Sequence, residues 1–84
     1  MFTVYVLRNP QGKRYIGQTS DLDRRLAQHN DPDHNPRSFI TRNPGPWVLV
    51  HSEEYETRPE TVRRERWLKS GIGREWLDRE IARL

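Results

Sequence analysis

The chain has 84 residues, a formal net charge of +3 and no cysteine. The length predicts one small domain over residues 1–84, and the missing cysteine excludes disulfides, thiolate metal clusters and a cysteine nucleophile. All but two of the 15 cationic residues are arginine, whose planar fork matches phosphate oxygens; this favours a nucleic-acid partner, although ordinary surface charge explains it equally well. No signal peptide or membrane-spanning run is visible, which predicts a cytoplasmic protein with no membrane partner.

A β-hairpin is predicted at the start of the chain. Phe2–Leu7 is rich in β-branched, aromatic and aliphatic residues, and Asn9–Gly12 supplies turn residues before a second strand that ends at Gly17. If the strands pair so that Tyr5 lies opposite Tyr15, both phenols project from one face of the sheet.

A helix is predicted to follow from Asp21 to Asn30, with Ser20 or Thr19 as its N-cap. At about 100° per residue, one arginine and one histidine share the core-facing side with two leucines, whereas Arg24 points away. The four residues on this side are Leu22, Arg25, Leu26 and His29.

Residues 31–46 hold four prolines and show neither helical nor strand periodicity, which predicts a loop. Arg37 and Arg42 flank Phe39, so this loop is a candidate secondary contact for nucleic acid, although a solvated loop held by one buried Phe explains the pattern as well.

A third strand is predicted at residues 47–51, with Trp47, Leu49 and His51 on one face. Three acidic residues follow it and resemble carboxylate metal ligands, but acids after a strand are more often solvated. These residues are Glu53, Glu54 and Glu56.

Two further helices are predicted. The first begins near Pro59, which suits a first turn, and ends at Gly71 as its C′ residue. Its inward side carries Val62, Glu65, Leu68 and Lys69. The second helix spans residues 74–84 and is expected to pack against the rest of the domain.

The inward-facing polar residues form a set that suits phosphodiester hydrolysis: Tyr5, Tyr15, Arg25, His29 and Glu65. A carboxylate holds a hard divalent cation, an arginine offsets charge on the phosphate, and a tyrosine or histidine orients or deprotonates water. The alternative is structural: the tyrosines pack in the sheet, Arg25 and Glu65 form an ion pair, and His29 closes its helix.

These motifs resemble GIY-YIG nuclease domains, in particular the small single-domain bacterial members. The resemblance covers residues 2–77 in order and rests on Thr-Val-Tyr5, Tyr15-Ile-Gly17, Arg25-Leu26 with His29, Gly-Pro-Trp47 and Arg64-Glu65. It departs at Thr3 and Val4, where the family has glycine and isoleucine, and at Gln18, where some members have lysine.

The resemblance implies a fold and a set of roles. The fold is α/β (α+β), a small three-stranded antiparallel sheet flanked by helices. Tyr5 and Tyr15 match the motif tyrosines, one of them the general base or water-orienting group, and Arg25 and His29 match the catalytic arginine and histidine. Glu65 matches the ligand of one Mg²⁺ or Mn²⁺ ion.

The function implied is a metal-dependent endonuclease that hydrolyses DNA in repair or processing. The implied partners are DNA, in branched, nicked or single-stranded form, and a separate targeting protein. Arg37, Arg42 and Lys69 are the candidate nucleic-acid contacts outside the catalytic set. The alternative is a module that binds nucleic acid with this fold but without catalysis.

Overall fold

The computed structural model describes residues 1–31, 43 and 45–82, in which helices flank one antiparallel sheet. The sheet has the order β2-β1-β3, so β1 is central and both other strands are edges. The fold class predicted from the sequence is therefore confirmed. The elements are β1 (Phe2–Arg8), β2 (Arg14–Thr19), α1 (Leu22–His29), β3 (Val48–Tyr55), α2 (Arg58–Lys69) and α3 (Gly71–Ala82). None of the helices described is both long and apolar enough to cross a bilayer.

Side chains alternate across β1, so the central strand contributes to a core on each face of the sheet. On one face, Tyr5 and Leu7 are buried with Trp47, and the leucines of α1 pack against them. On the other face, Val4 and Val6 are buried with a leucine from α2 and one from α3, Leu68 and Leu77. The sheet is the shared middle layer.

The hairpin register differs from the one proposed for the tyrosines. Tyr5 pairs with Gly17, and Tyr15 pairs with Leu7. The shift is two residues, an even number, so Tyr15 still projects from the same face as Tyr5. The prediction that the phenols share a face is confirmed, and the direct pairing was wrong because the turn is longer: Asn9 Oδ1 accepts from the N–H groups of Gln11 and Lys13.

The second strand and the first helix meet at a different boundary from the predicted one. Gly17 does not end β2, which continues to Thr19. The N-cap of α1 is Asp21, whose Oδ1 accepts from Arg24 N–H at 3.2 Å. Thr19 is not the N-cap; its Oγ1 accepts from the N–H of Asp21 at 3.1 Å and so holds the N-cap residue in place.

Strand β3 is longer than predicted and contains a β-bulge. Opposite β1, Val6 pairs with His51 but Leu7 pairs with Leu49, so one extra residue is inserted in β3. The predicted common face of Trp47, Leu49 and His51 was wrong for this reason. Trp47 and Leu49 lie with Tyr5, whereas the His51 ring lies on the opposite face, 5.4 Å from that of Trp76.

Gly71 directly follows Ser70, the C-cap of α2, and so stands at the predicted C′ position, but it is also the first residue of α3 and does not have a left-handed conformation. Ser70 serves both helices: its N–H donates to the carbonyl of Trp67, and its Oγ accepts from the N–H of Gly73 at 3.2 Å. Helix α3 therefore begins three residues earlier than predicted. A Cβ at Gly73 would collide with the carbonyl oxygen of Trp67, so the two helices meet with backbone in contact.

Candidate active site

Three rings from two strands and one helix form a stack on the α1 face of the sheet. The Tyr5 hydroxyl lies 2.8 Å from His29 Nε2, within hydrogen-bond distance. The Tyr15 ring meets that of His29 edge to face, with 4.9 Å between centroids, and lies 6.3 Å from that of Tyr5. Helix α1 brings His29 to the sheet because Leu22 and Leu26, on the same side of the helix, pack into the core beneath it.

Gly17 provides the space for the stack. A Cβ built at this position would lie 2.6 Å from the Tyr5 hydroxyl oxygen and 3.1 Å from an edge carbon of the Tyr15 ring. The register places Gly17 directly opposite Tyr5, so the phenol ring lies over the glycine. The Tyr-Ile-Gly motif therefore needs glycine at this position, because any side chain would collide with the Tyr5 ring.

Tyr5 is almost fully buried, with 2% of its surface exposed. Burial raises the pKa of its phenol well above the usual range, nearby Tyr15 raises it further, Arg25 opposes the rise and Glu65 adds to it. Tyr5 therefore keeps its proton at neutral pH. The same electrostatics place Arg25 and Glu65, from two different helices, within range of one phenol.

Glu65 already has a cationic neighbour. Its Oε1 lies 2.9 Å from Lys69 Nζ, and only 19% of the Glu65 side chain is exposed. The Lys69 ammonium shows that a cation can lie beside this carboxylate. Carboxylate oxygens are hard donors, which Mg²⁺ and Mn²⁺ prefer as ligands. Within the described residues no group of three or more acidic, histidine or cysteine side chains could hold a metal. Among the five predicted catalytic residues, Glu65 has the one carboxylate that could hold such an ion.

Arg25 is exposed on α1 and belongs to no ion pair among the described residues. The structural alternative, an ion pair between Arg25 and Glu65, is not what the structure contains, since Glu65 pairs with Lys69. The Arg25 guanidinium retains N–H donors for an anionic ligand beside the stack.

Asn30, directly after His29, connects the end of α1 to the beginning of β3. Its Nδ2 donates to the Trp47 carbonyl at 3.1 Å, and its Oδ1 accepts from the Trp47 N–H at 2.8 Å. The paired hydrogen bonds fix the last turn of α1 against a buried tryptophan, and with it the position of His29.

The structure brings three of the five predicted catalytic residues, Tyr5, Tyr15 and His29, into ring contact. It shows no direct contact of Arg25 or Glu65 with these rings, but both residues influence the pKa of Tyr5. The predicted contacts Arg37 and Arg42 lie outside the described residues. Lys69 borders a cavity of about 440 Å³ beside Tyr15. Two cations of that cavity, Arg14 and Arg74, were not predicted from the sequence, because they come from separate elements with no common periodicity.

Glu53, one of the acids first weighed as a metal ligand, belongs to an ion-pair network on the other face of the sheet. Its carboxylate accepts from Arg64 Nε at 2.8 Å and Nη2 at 3.2 Å, lies 2.7 Å from His51 Nε2, and accepts from the Tyr55 hydroxyl. Glu54 and Glu56 are exposed. The Arg64 guanidinium also lies over the rings of two tryptophans, Trp67 and Trp76.

A sheet with tyrosines on two adjacent strands, a histidine and an arginine on the following helix, and a glutamate on a later helix is the arrangement expected of a catalytic domain of the GIY-YIG type. The chain belongs to this family, because the family model described as the GIY-YIG catalytic domain matches residues 1–74. The resemblance noted in the sequence is thereby confirmed, and the family is of the nuclease type.

Among individual proteins, the chain is similar to several named UPF0213. It is 38% identical over 69 residues to a UPF0213 protein of Halobacterium salinarum, covering 82% of this chain and 86% of that protein. A UPF0213 protein of Enterococcus faecalis is 33% identical over 61 residues, covering 73% of this chain and 68% of that protein. The solution NMR structure of the UPF0213 protein BH0048 from Bacillus halodurans matches with a TM-score of 0.54 and 32% identity, covering 92% of this chain and 82% of that one.

Proposed function

We propose that the protein is a divalent-metal-dependent endonuclease that hydrolyses phosphodiester bonds of DNA, in repair or processing. The observation that supports this most directly is the ring stack, in which the Tyr5 hydroxyl lies 2.8 Å from His29 Nε2 and the Tyr15 ring contacts that of His29. Arg25 and Glu65, from two helices, are near enough to influence the pKa of Tyr5. An arginine, a carboxylate, a histidine and a hydroxyl are groups that serve phosphoryl transfer to water.

The two tyrosines have different roles in this proposal. Tyr5 is buried, protonated at neutral pH and hydrogen-bonded to His29, so it positions the histidine and is a poor base. Tyr15 is half-buried, and its hydroxyl has no hydrogen-bond partner within the described part of the chain. We assign Tyr15 to the contact with the attacking water, which it orients through its hydroxyl.

Arg25 binds a non-bridging oxygen of the scissile phosphate and offsets the charge that develops there. Glu65 would hold the metal through one carboxylate oxygen, in place of its contact with Lys69. When bound, such an ion polarises the phosphate and stabilises the leaving oxygen. Gly17 leaves the space that both phenol rings need, since a Cβ there would meet each of them.

Plasmid nicking in Mg²⁺ or Mn²⁺ tests the proposal, with branched, nicked and single-stranded DNA as further substrates. Arg25→Ala and Glu65→Gln are each expected to reduce the rate by about 10²-fold or more, because each removes a charged contact made in the transition state. Arg24→Ala is the matched control, since Arg24 is the adjacent exposed arginine on the same helix and is expected to cut as the wild type does. A wild type that does not nick, or an Arg25→Ala variant that equals Arg24→Ala, contradicts the proposal.

The second candidate function is a nucleic-acid-binding module without catalysis, which the Lys69 contact of Glu65 favours. The two functions differ in whether Glu65 takes up a metal. Titration of Mn²⁺ followed by electron paramagnetic resonance is expected to show binding that Glu65→Gln weakens by about 10- to 100-fold and that Lys69→Met strengthens, because the competing ammonium is gone. Equal Mn²⁺ binding in all three proteins, with DNA binding retained, supports the non-catalytic module.

A further inference from the structure

The outer edge of β2 borders a cavity of about 440 Å³ that the proposed catalytic roles do not use. Among the described residues its lining includes three cations and no acid, and these cations come from three different elements: Arg14 on β2, Lys69 at the end of α2 and Arg74 in the first turn of α3. Tyr15 and Ile16 also line it. This cavity is the β2-edge groove.

The cations of the β2-edge groove are only partly neutralised by their own protein. Arg14 Nη1 lies 2.8 Å from Asp78 Oδ1, but the Asp78 side chain is 65% exposed and the guanidinium has further N–H donors. Arg74 is exposed and has no ion pair in the described residues. The first turn of α3 carries no acidic residue, so the positive end of that helix adds to the field. Like charges around one cavity repel, and an anion in the groove removes that repulsion.

The groove is continuous with the candidate active site. Tyr15 lines the groove and its ring also contacts that of His29 in the stack. Lys69 lines the groove and pairs with Glu65. An anion held in the groove is therefore a neighbour of the phosphate that Arg25 and Glu65 would bind.

We propose that the β2-edge groove binds a backbone phosphate of the same nucleic-acid strand that enters the active site, next to the scissile phosphate. This rests on the proposed function for the identity of the strand. Arg74 and Arg14 supply N–H donors to the phosphate oxygens, and Lys69 turns from Glu65 to this phosphate when a metal takes its place on the carboxylate.

Binding without cleavage tests the groove separately from catalysis. Anisotropy of a short fluorescein-labelled single-stranded oligonucleotide is measured in EDTA over a series of salt concentrations. Arg74→Ala is expected to weaken binding by about threefold to tenfold and to reduce the slope of log K against log salt by about one phosphate contact. Arg14→Ala is expected to act in the same direction.

Arg79→Ala is the matched control, because Arg79 is an exposed arginine of the same helix that does not line the groove. It is expected to leave affinity and slope near the wild-type values. If Arg74→Ala and Arg79→Ala act equally, net charge explains the effect and the groove proposal is overturned. Equal dependence on Arg74 for the binding of a poly-glutamate peptide also overturns it, in favour of an acidic protein.

The two proposals fail in different ways. If the wild type never nicks DNA but Arg74 and Arg79 differ in the binding assay, the catalytic proposal fails and the groove stands. If nicking depends on Arg25 but Arg74→Ala binds as the wild type does, the groove fails and the catalytic proposal stands.

Discussion

Gly17 is the residue on which the ring stack depends most directly. Its need for a hydrogen side chain could not be derived from the sequence, because it results from the register that places Tyr5 over it. The residue types of the candidate site, in contrast, could be predicted, since helical spacing alone puts Arg25 and His29 on the side of Leu22 and Leu26.

Gly17→Ala is expected to destabilise the protein by about 1–3 kcal/mol, because the added methyl group overpacks the buried Tyr5 ring and the half-buried Tyr15 ring. Nicking activity is expected to fall further than stability predicts, since Tyr5 and Tyr15 both shift. Urea unfolding and the nicking rate measure the two effects. Gly71→Ala is the control: a Cβ there meets nothing within 4 Å, so stability should be unchanged or slightly raised. Equal stability of the two variants would contradict the contact role of Gly17.

At the scale of the elements, strand β3 shows why the sequence predicted the fold well but assigned some side chains to the wrong face of the sheet. Strict alternation assigned His51 to the face of Trp47 and Leu49, but the bulge reverses the alternation between Leu49 and His51. A bulge depends on pairing with another strand and leaves no period in the sequence. It delivers His51 and Glu53 to α2, where Arg64 pairs with Glu53 between two tryptophans.

The ion pair between Glu53 of β3 and Arg64 of α2 is expected to make the stability of the protein fall at acid pH. Burial tends to raise the pKa of Glu53, but hydrogen bonds from Arg64, His51 and Tyr55 outweigh it, so the pKa is below its usual value. A lowered pKa in the folded state means that the stabilisation is present above the ordinary glutamate pKa of about 4.3 and is lost as pH falls through the folded value. The wild type is expected to lose stability over this range.

Glu53→Gln is expected to cost on the order of 1 kcal/mol at neutral pH, because the half-buried Arg64 loses its charge partner, and to show a weaker loss in acid. Urea unfolding at neutral and acid pH measures both. Glu54→Gln, an exposed neighbour on the same strand, should retain the wild-type dependence. If Glu53→Gln and the wild type lose stability in parallel, the network does not control the acid response.

At the scale of the molecule, the two cores share one strand. Val4 and Val6 belong to the core beneath α2 and α3, and Tyr5 and Leu7 belong to the core beneath α1. The order of strands and helices along the chain could be predicted from the sequence, because each element has a hydrophobic pattern of its own and is bounded by turn residues. It could not predict that β1 is central, since that depends on long-range pairing with β3.

Hydrogen exchange measured by NMR is expected to reflect this arrangement. The amides of β1 should exchange slowest, at the rate set by global unfolding, because exposing them requires both cores to open. Edge strands β2 and β3 should contain faster amides on their outer sides. Slower exchange in α2 and α3 than in β1 would mean that the two cores open independently.

The paired hydrogen bonds between Asn30 and Trp47 have a consequence for how this domain could acquire specificity. Asn30 follows α1 and Trp47 precedes β3, and their two hydrogen bonds hold the ends of the intervening segment together. The entropy of closing a loop grows only slowly with its length, so additional residues can be inserted between these anchors at small cost in stability. An inserted DNA-reading element would be held next to His29, at the margin of the candidate active site.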